Sequence, residues 1–545
     1  MSEIVRERAA VLRDFSGGLN NYWDPTTIAE NEVPFLKNLE FSPTGALTSR
    51  PPIWEYTGDT FPEANVHFNL LGYYVAEDGD RFGVYTSPTK TYIFDLDETW
   101  TQIWDQSAAD FAQYLGYIIM CRIDGAGAYW GPNGAPKWTG SAWVVEVVGG
   151  NIVYTQPIAS MPAGRGIELF QERLFLFGPL NSATQSVLYW SNIAGEIELS
   201  PEQDWRYWDT NNNFTAVNSG DGQWITGLVT GYNEITIFRN ASTFRFTFYD
   251  DVTQGTVAKV QDGIGAENQL CIARYENALI VLSGEQLYTY YNGIFQSMND
   301  LKVRFEEKEG SENLKVRYAV SIFGSRAIVW YGGNTYVAQM KTGTWSTWES
   351  NREMAYCRVL PNSANAIDKT VEAWAISGSA TASKWKLLRT FDHRHPDIGA
   401  EPMVCELRTR IYDFQTPNEY KRLYWWAADI MAVGEIRARV FPVSLDTTTQ
   451  STWDHLERFT WDELAGSFDG WDNPAPAPFN VQTTTVFPYR RPERINLKLD
   501  HSLRFRRVYF ELSMDCDGTA ATAPTQIFSI TPMIGVKAKT SERIS

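Results

Sequence analysis

The chain has 545 residues, of which 43% are apolar and 14% aromatic, and this content excludes a disordered chain, which lacks the apolar surface that offsets ordering entropy. Its 47 basic and 65 acidic side chains give a formal charge of -18. This charge disfavours a DNA-gripping surface, because affinity for phosphates rests on Lys and Arg. The five cysteines are odd in number and widely scattered, so neither a disulfide framework nor a zinc knuckle is indicated.

Targeting and membrane signals are not found in the sequence. The first ten residues carry charges where a secretory signal needs an apolar core. No later stretch approaches the roughly 18 uncharged apolar residues of a membrane helix. The sequence therefore predicts no membrane span and a chain that is made and kept soluble.

The N-terminal segment contains the most unusual local sequence, Arg13-Asp-Phe-Ser-Gly-Gly-Leu-Asn-Asn21. Its two adjacent glycines, Gly17 and Gly18, permit backbone conformations that a side chain forbids. Phe15 and Leu19 flank them and can anchor an otherwise extended chain. Since the segment has no evident core of its own, we predict an extended assembly arm over residues 1–54.

Residues 55–400 are predicted to form a β-propeller. Short runs rich in β-branched and aromatic residues recur between Gly, Asn, Asp and Ser punctuation, as in 91–95, 173–177 and 278–282. The run 243–248 alternates polar and aromatic residues, which predicts a half-buried strand with Phe244, Phe246 and Phe248 on one face. Hairpins with an aromatic return strand repeat over this region, as propeller blades do. Several unrelated sandwiches are the alternative.

A second all-β region, residues 401–545, alternates Arg with apolar residues and is predicted to be a β-sandwich. It contains an insertion over residues 451–480 with two Trp-Asp units that begin eight residues apart at Trp453 and Trp461, followed by Trp471 and a Pro-Ala run. A spacing of eight is too short for WD repeats, which need about 40 residues each. We interpret the insertion as an interaction loop, with the Pro-Ala run as a stiff spacer.

Motifs for chemistry are scarce. No phosphate loop, dinucleotide fingerprint or nucleophile elbow occurs, so no catalytic, cofactor or metal residues are predicted. His393 and His395, with Asp392 and Asp397, could ligate a metal, but a solvated connector is the simpler interpretation. A glycosidase carboxylate pair is not identifiable from sequence. Exposed tryptophans could stack on sugars, or staple blades together as buried aromatics; those considered are Trp130, Trp138, Trp143 and the three of the insertion.

Three phrases of the N-terminal segment resemble a known family. The opening Asp-Phe-Ser-Gly-Gly-Leu-Asn (residues 14–20) is followed by Glu-Asn-Glu (30–32) and by Asn-Leu-x-Phe-x-x-x-Gly-Ala-Leu-x-x-Arg (38–50). Together they resemble the start of tail proteins of tailed bacteriophages, the propeller-containing nozzle or packaged-DNA-stabilising class of short-tailed phages and related minor tail proteins. Phrases at 187–195 and 263–291 are similar to the same group.

The resemblance implies a structural part of the virion tail, assembled in the host cytoplasm, and no enzyme. It implies a ring, commonly of six copies, through which DNA is retained and ejected without specific binding. Partners would be other tail proteins, such as the tail tube, an adaptor or fibres. The residues implied in assembly are Asp14, Phe15, Gly17, Gly18, Leu19 and Asn20. The alternative function is a tail adhesion or adaptor protein that binds host glycans or tail fibres, and a propeller glycosidase ranks third.

Overall fold

A computed structural model describes residues 5–41, 46–51, 53–55, 61–63, 66, 68–77, 79, 81–95, 99–178, 185–193, 204–217, 221–231, 234–248, 255–311, 316–349, 354–360, 372–377, 387–390, 403–415, 421–431, 434–443, 479–486, 493–505, 507–516 and 526–537. Within these ranges the chain is almost entirely β, with a 3-10 turn at Gln269–Cys271 and no α-helix. None of the described residues belongs to a helix that could cross a membrane. The all-β prediction is confirmed.

The N-terminal segment contains seven short strands: β1 (Val5–Ala9), β2 (Gly18–Leu19), β3 (Glu32–Val33), β4 (Phe35–Lys37), β5 (Leu39–Phe41), β6 (Leu47–Ser49) and β7 (Ile53–Glu55).

Blades one to four follow along the chain. Blade one consists of β8 (Asn69–Val75), β9 (Arg81–Thr86), β10 (Thr91–Asp95) and β11 (Trp100–Trp104). Blade two consists of β12 (Asp110–Tyr114), β13 (Tyr117–Cys121), β14 (Ala128–Trp130) and β19 (Thr155–Pro157), with β15 (Pro136–Trp138), β16 (Trp143–Val145), β17 (Val147–Val148) and β18 (Asn151–Ile152) inserted before β19. Blade three consists of β20 (Gly166–Phe170), β21 (Arg173–Phe177), β22 (Val187–Trp190) and β23 (Phe214–Ala216), and blade four of β24 (Ile225–Thr230), β25 (Ile235–Arg239), β26 (Ser242–Phe248) and β27 (Gly255–Asp262).

Blade five consists of β28 (Ile272–Tyr275), β29 (Ala278–Ser283), β30 (Gln286–Tyr291) and β31 (Ile294–Ser297), and blade six of β32 (Tyr318–Phe323), β33 (Arg326–Tyr331), β34 (Asn334–Gln339) and β35 (Thr344–Trp348). Blade seven contains β36 (Met354–Leu360), β37 (Glu372–Ser377) and β38 (Leu387–Thr390). The sandwich contains β39 (Met403–Arg408), β40 (Lys421–Met431), β41 (Gly434–Val443), β42 (Phe479–Val486), β43 (Glu493–Phe505), β44 (Arg507–Cys516) and β45 (Gln526–Lys537).

In the part of the chain that the structure describes, seven antiparallel four-stranded units form a β-propeller, the fold that the sequence predicts. Six consist of strands consecutive along the chain, apart from the hairpins inserted in blade two. The seventh consists of β36, β37 and β38 with β7 as its outermost strand, paired at Thr390 and Ile53. Because β7 precedes blade one in sequence, this pairing joins the two ends of the propeller and closes the wheel without an exposed gap.

A β-sandwich packs on the propeller and takes strands from both ends of the chain. One sheet has the order β43-β40-β45-β6-β5, with β1 also paired to β45. The other is part of a nine-stranded sheet in which β35, the outer strand of blade six, pairs in parallel with β4, and β4 continues to β39, β44, β41 and β42. A single sheet therefore runs from a propeller blade into the sandwich.

Alternation along strands explains which side chains are buried. On β26, Phe244 and Phe246 are 4% and 0% exposed while Arg245 between them points to solvent, as the period of two predicts. In the sandwich, β44 buries Val508, Phe510 and Leu512, which belong to the main apolar core. Cys121, Cys271 and Cys405 are buried free thiols and pack as small apolar residues.

The predicted domain boundaries differ from the fold at the N-terminus. Residues 1–54 do not form a separate extended arm, since their described strands pair with the sandwich through β1, β4, β5 and β6 and with the propeller through β7. The physical reason is that the segment buries its apolar side chains in a core built by distant residues, which a local pattern does not reveal. Trp453, Trp461, Trp471, His393 and His395 lie outside the described residues.

Removing residues 1–50 should prevent stable folding, although the extended-arm interpretation expects a folded monomer. The deletion takes away the strands that cover β45 and β39 and leaves apolar core residues uncovered. We expect the cooperative thermal transition seen by circular dichroism to disappear or fall by tens of degrees.

The matched control replaces residues 147–152, an exposed hairpin, by two glycines and should keep the cooperative transition of the folded chain. A soluble, cooperatively melting chain without residues 1–50 would contradict this view of the N-terminal segment.

Candidate functional site at the propeller–sandwich joint

The residues that carry the family resemblance form a joint between the two units. This propeller–sandwich joint comprises residues 15–20, 33–41 and 46–50 with the ends of β35 and β39 that they contact. One continuous apolar core passes through it and includes residues of the N-terminal segment, the propeller and the sandwich, among them Phe15, Leu19, Trp345, Leu407 and Phe510. Phe15 and Leu19 are 1% and 2% exposed.

Gly18 allows the N-terminal segment to lie directly against blade six. Its φ of +68° is a conformation that other residues rarely adopt. A Cβ atom at this position would be 2.9 Å from the backbone nitrogen of Trp345, so no side chain fits. At Gly17 an added Cβ would be 2.7 Å from the carbonyl oxygen of Asn31. Both glycines are therefore required by close backbone approach.

Asp14 and Asn20 hold the turns around these glycines. The Asp14 carboxylate accepts a hydrogen bond of 2.8 Å from the Ser16 N–H, and hydrogen bonds from Ser16 lower the pKa of Asp14. Asn20 Nδ2 donates to Glu32 at 2.7 Å, and Asn20 Oδ1 accepts from the N–H of Tyr22 at 3.3 Å. All six residues implied in assembly are thus positioned by contacts within the chain. A role in assembly stays a prediction, and it would act through the fold of the joint.

Asn38 is the polar centre of the joint. Its φ is +57° and it is 1% exposed. Its backbone N–H donates to Thr347 at the end of blade six, and its Nδ2 donates to the carbonyl oxygen of Val404 in the sandwich, both at 2.8 Å. Its Oδ1 accepts from Arg50 Nε and from the N–H of Glu349, again at 2.8 Å. One buried amide therefore links the propeller, the sandwich and the N-terminal segment.

Arg50 is a fully buried cation that donates hydrogen bonds to oxygen atoms of the joint. It is 1% exposed and donates to Asn38 Oδ1, to the carbonyl oxygen of Pro51 at 2.8 Å and to that of Glu349 at 2.9 Å. Its guanidinium carbon lies 6.0 Å from the ring centroid of Trp348. Burial of a charge is costly unless its donors are bonded, so Arg50 fixes the positions of these carbonyls.

Two ion-pair groups cross the same boundary. Glu40 on β5, whose side chain is 6% exposed, accepts two hydrogen bonds of 2.9 and 3.0 Å from Arg326 Nε on blade six. Lys37 on β4 pairs with Glu349 after blade six and, at 3.4 Å, with Glu406 on β39. Charges of opposite sign from three segments therefore meet in register at the joint.

A second carboxylate cluster lies at the beginning of β32, outside the joint. Glu307 accepts hydrogen bonds from Arg317 and from the hydroxyl of Tyr318, and these bonds lower its pKa. Burial raises the pKa of Glu267, which also senses Arg317 and Glu307 electrostatically. Opposite pKa shifts are a pattern of acid–base pairs. Both carboxylate oxygens of Glu307 accept hydrogen bonds from side chains of this chain, which indicates a structural role for Glu307.

The tryptophans considered for sugar stacking are largely engaged in packing. Trp130 is 7% exposed and belongs to an apolar core, which agrees with the alternative that it packs between blades as a buried aromatic. Trp143 is half-buried, and the guanidinium carbon of Arg206 lies 4.0 Å from the centroid of its ring. The ring centroids of Trp138 and Trp143 are 5.6 Å apart. The more exposed aromatic pair is Tyr22 and Trp23, which are 47% and 50% exposed. The sequence analysis did not single out that pair.

The contacts of the joint hold the propeller, the sandwich and the N-terminal segment together, as those of a structural scaffold do. No group of three or more potential metal ligands is found among the described residues. Asn38, Glu40 and Arg50 were not predicted as site residues, although Asn38 and Arg50 delimit the phrase that carries the resemblance. That phrase was the available signal, since Asn38 and Arg50 are the polar residues at its two ends.

Comparisons with known proteins give no function for this chain. No protein-family model matches the sequence, and no curated protein matches it. Among solved structures, the chain is similar to the extracellular domain of the one-component system BT4673 from B. thetaiotaomicron, with 10% identity and a TM-score of 0.38 over 69% of this chain, and it spans 43% of the length of that chain.

Two further solved structures are similar at the same low level. The AfRom2 CNH domain has 7% identity and a TM-score of 0.39, with 62% of this chain and 99% of that chain covered. Virginiamycin B lyase from Staphylococcus aureus has 11% identity and a TM-score of 0.32, with 60% and 99% covered. Likenesses of this size carry no argument about what the chain does.

Substituting Asn38→Ala should destabilise the chain strongly, because three partners, among them the buried Arg50, lose their hydrogen bonds to its side chain. The matched control is Asn292→Ala at an exposed turn with a similar φ of +49°, so the cost of alanine in this conformation is shared. We expect Asn38→Ala to lower the free energy of unfolding by about 2–4 kcal/mol more than the control. Urea denaturation followed by tryptophan fluorescence measures the difference, and equal losses would refute the central role of Asn38.

The Lys37 ion pairs should stabilise the joint above pH 4.5 and lose this effect in acid. Burial acts to raise the pKa of Glu349, but the hydrogen bond and charge of Lys37 outweigh it and hold that pKa below its ordinary value of 4.5. A lowered folded-state pKa means stability that is present above 4.5 and is lost as the pH falls through the folded pKa.

The difference in melting temperature between the parent and Lys37→Met should therefore be largest near neutral pH and shrink below about pH 4.5. The control Lys137→Met removes an ion pair whose lysine side chain is 57% exposed, and it should change little at any pH. A Lys37→Met difference that stays constant from pH 7 to pH 3 would contradict the assignment.

Proposed function

We propose that this chain is a structural component of a bacteriophage tail, a nozzle or tail-tip ring subunit through which DNA is retained and ejected. The observation that carries the proposal is the location of the resembling phrases. Residues 14–20, 38–41 and 46–50 hold the wheel and the sandwich together as one body. A tail part under the pressure of packaged DNA needs such rigidity, and the phrases supply it through backbone approach and buried hydrogen bonds.

The charge of the chain supports a passive path for DNA. Each copy carries a formal charge of -18, so a ring of six would carry about -108. An acidic wall repels phosphates, whereas a basic wall would bind them and slow ejection. The proposal therefore includes DNA passage without specific binding, a homo-hexamer in the virion tail, and contacts with a tail tube, an adaptor and fibres.

The proposal includes no catalysis. In the part of the chain that the structure describes, the carboxylate cluster around Glu307 is engaged by Arg317 and Tyr318. A glycosidase needs an acid and a base or nucleophile that both face the substrate. The contacts of Glu307 favour a structural role for it over that chemistry.

A tail adhesion or adaptor protein is the second candidate, and the exposed pair Tyr22 and Trp23 favours it. Their rings lie 5.3 Å apart in an edge-on arrangement, next to a reciprocal hydrogen bond between Asn21 and the backbone of Arg304. Aromatic faces held in this way offer an amphipathic contact surface of the kind enriched at interfaces.

Loss of the chain from a phage that encodes it should produce heads that fill with DNA and then leak it. The measurement is the fraction of packaged DNA that resists nuclease in purified particles, with and without the chain supplied in trans. We expect complementation by the parent chain and by Trp23→Ala, and a reduced recovery with Asn38→Ala. Full retention of DNA without the chain, together with adsorption that fails for Trp23→Ala, would replace the nozzle proposal with the adhesion role.

A further inference from the structure

Blade two carries an exposed apolar patch on its inserted hairpins. Six of its side chains are more than a third exposed: Val144 50%, Val145 36%, Val147 58%, Val148 61%, Ile152 43% and Tyr154 44%. The hairpin of β17 and β18 turns at Gly149 and Gly150, with φ of +59° and +86° and no other atoms within 4 Å of a Cβ added to either. We call this surface the second-blade patch. It stands clear of the wheel, and clustered exposed apolar residues mark interaction sites.

The second-blade patch is held in place by contacts with blade two and with the segment between β22 and β23 of blade three. Trp143 on β16 stacks on Arg206, whose guanidinium pairs with Asp204 at 3.1 Å. Glu146 between β16 and β17 accepts from Lys137 at 3.2 Å and from Gln156 on β19 at 2.8 Å. The patch is therefore preorganised, so ordering it on binding costs little.

Blade five carries a second exposed patch at the equivalent place. The hairpin of β30 and β31 turns at Asn292 and Gly293, and its last cross-strand pair, Tyr291 and Ile294, is 61% and 71% exposed. Phe295 packs on Tyr290 below, with 4.6 Å between ring centroids. We call Tyr291 and Ile294 the fifth-blade patch. Both side chains project at the tip of a tight hairpin.

The two patches leave the same face of the wheel on nearly opposite sides. Each lies on the connection between the third and the fourth strand of its blade. Strands alternate in direction within a blade and every blade starts at the inside, so these connections point the same way. Blade five is three blades from blade two in a wheel of seven, which is as far apart as two blades can be.

The distribution of charge favours another copy of this chain as the partner that covers the two patches. Two copies that each carry -18 repel one another, so they meet with least cost where the surface is neutral. Residues 139–154 contain one charged side chain, Glu146, which is already paired, and residues 286–297 contain none. Two different neutral patches on opposite sides match a head-to-tail contact, which repeats from copy to copy and can close a ring.

We propose that the second-blade patch of one copy binds the fifth-blade patch of the next. The inference deepens the ring proposed above and rests on it. In this arrangement Val147 and Val148 of one copy cover Tyr291 and Ile294 of its neighbour. All wheels then present the same face, since the two patches lie on one face of each copy.

The test uses the full chain with Val148→Lys or Ile294→Lys, each of which puts a charge into one patch. Multi-angle light scattering should show an assembly for the parent and monomers for either variant, with an apparent dissociation constant raised about 100-fold or more. Phe214→Lys, at an exposed position on the outer strand of blade three, is the control and should assemble like the parent. Unchanged melting temperatures show that the variants remain folded.

Mixing the two variants gives the decisive measurement. Each retains the patch that the other lacks, so an equimolar mixture should form dimers and nothing larger. Assembly of both variants alone would overturn the inference while leaving the ring intact. A mixture that stays monomeric would also overturn the inference. A head-to-tail contact predicts one intact interface in the mixture, between the unaltered patch of one variant and the unaltered patch of the other. A parent chain that is monomeric at high concentration would overturn the ring and the inference together.

Discussion

The side chain of Asn38 is the interaction on which the rest of the molecule depends. The side chain hydrogen-bonds Glu349 just after blade six, Val404 on the sandwich strand β39, and Arg50. Asn38 is 1% exposed. A buried amide with all its partners placed stabilises one arrangement only, because any shift leaves a donor or acceptor unpaired at a cost of about 1–3 kcal/mol each. The relative position of wheel and sandwich is thereby fixed by polar geometry and not by apolar contact alone.

Closure of the wheel and completion of the sandwich both depend on the first 55 residues. β7 completes the seventh blade, β4 joins blade six to β39, and β1 and β6 cover β45. The two units therefore share one N-terminal segment and one apolar core, so they are expected to fold as a single cooperative body. Such coupling suits a passive mechanical part, and it leaves the outer hairpins of the blades free to differ in sequence and to carry contacts.

The propeller could be predicted because its signals are local. The alternation at Phe244 and Phe246 follows from a few neighbouring residues, and the structure has it as predicted. The role of the N-terminal segment could not be predicted in this way. Gly18 reads as a flexible position until Trp345, more than 300 residues later, is seen to lie against it. Likewise Trp130 looks available for binding until neighbouring blades bury it.

By itself the sequence determined an all-β chain, a run of aromatic hairpins that form a wheel, an acidic charge of -18, and a phrase from Asn38 to Arg50 with polar ends. These properties depend on composition and on residues close together along the chain. Only the tertiary structure decided that this phrase joins two units, that Glu40 meets Arg326, and that neutral apolar tips stand on opposite sides of the wheel. The reason is that burial and pairing between distant segments are set by how the blades close, and no local pattern encodes that closure.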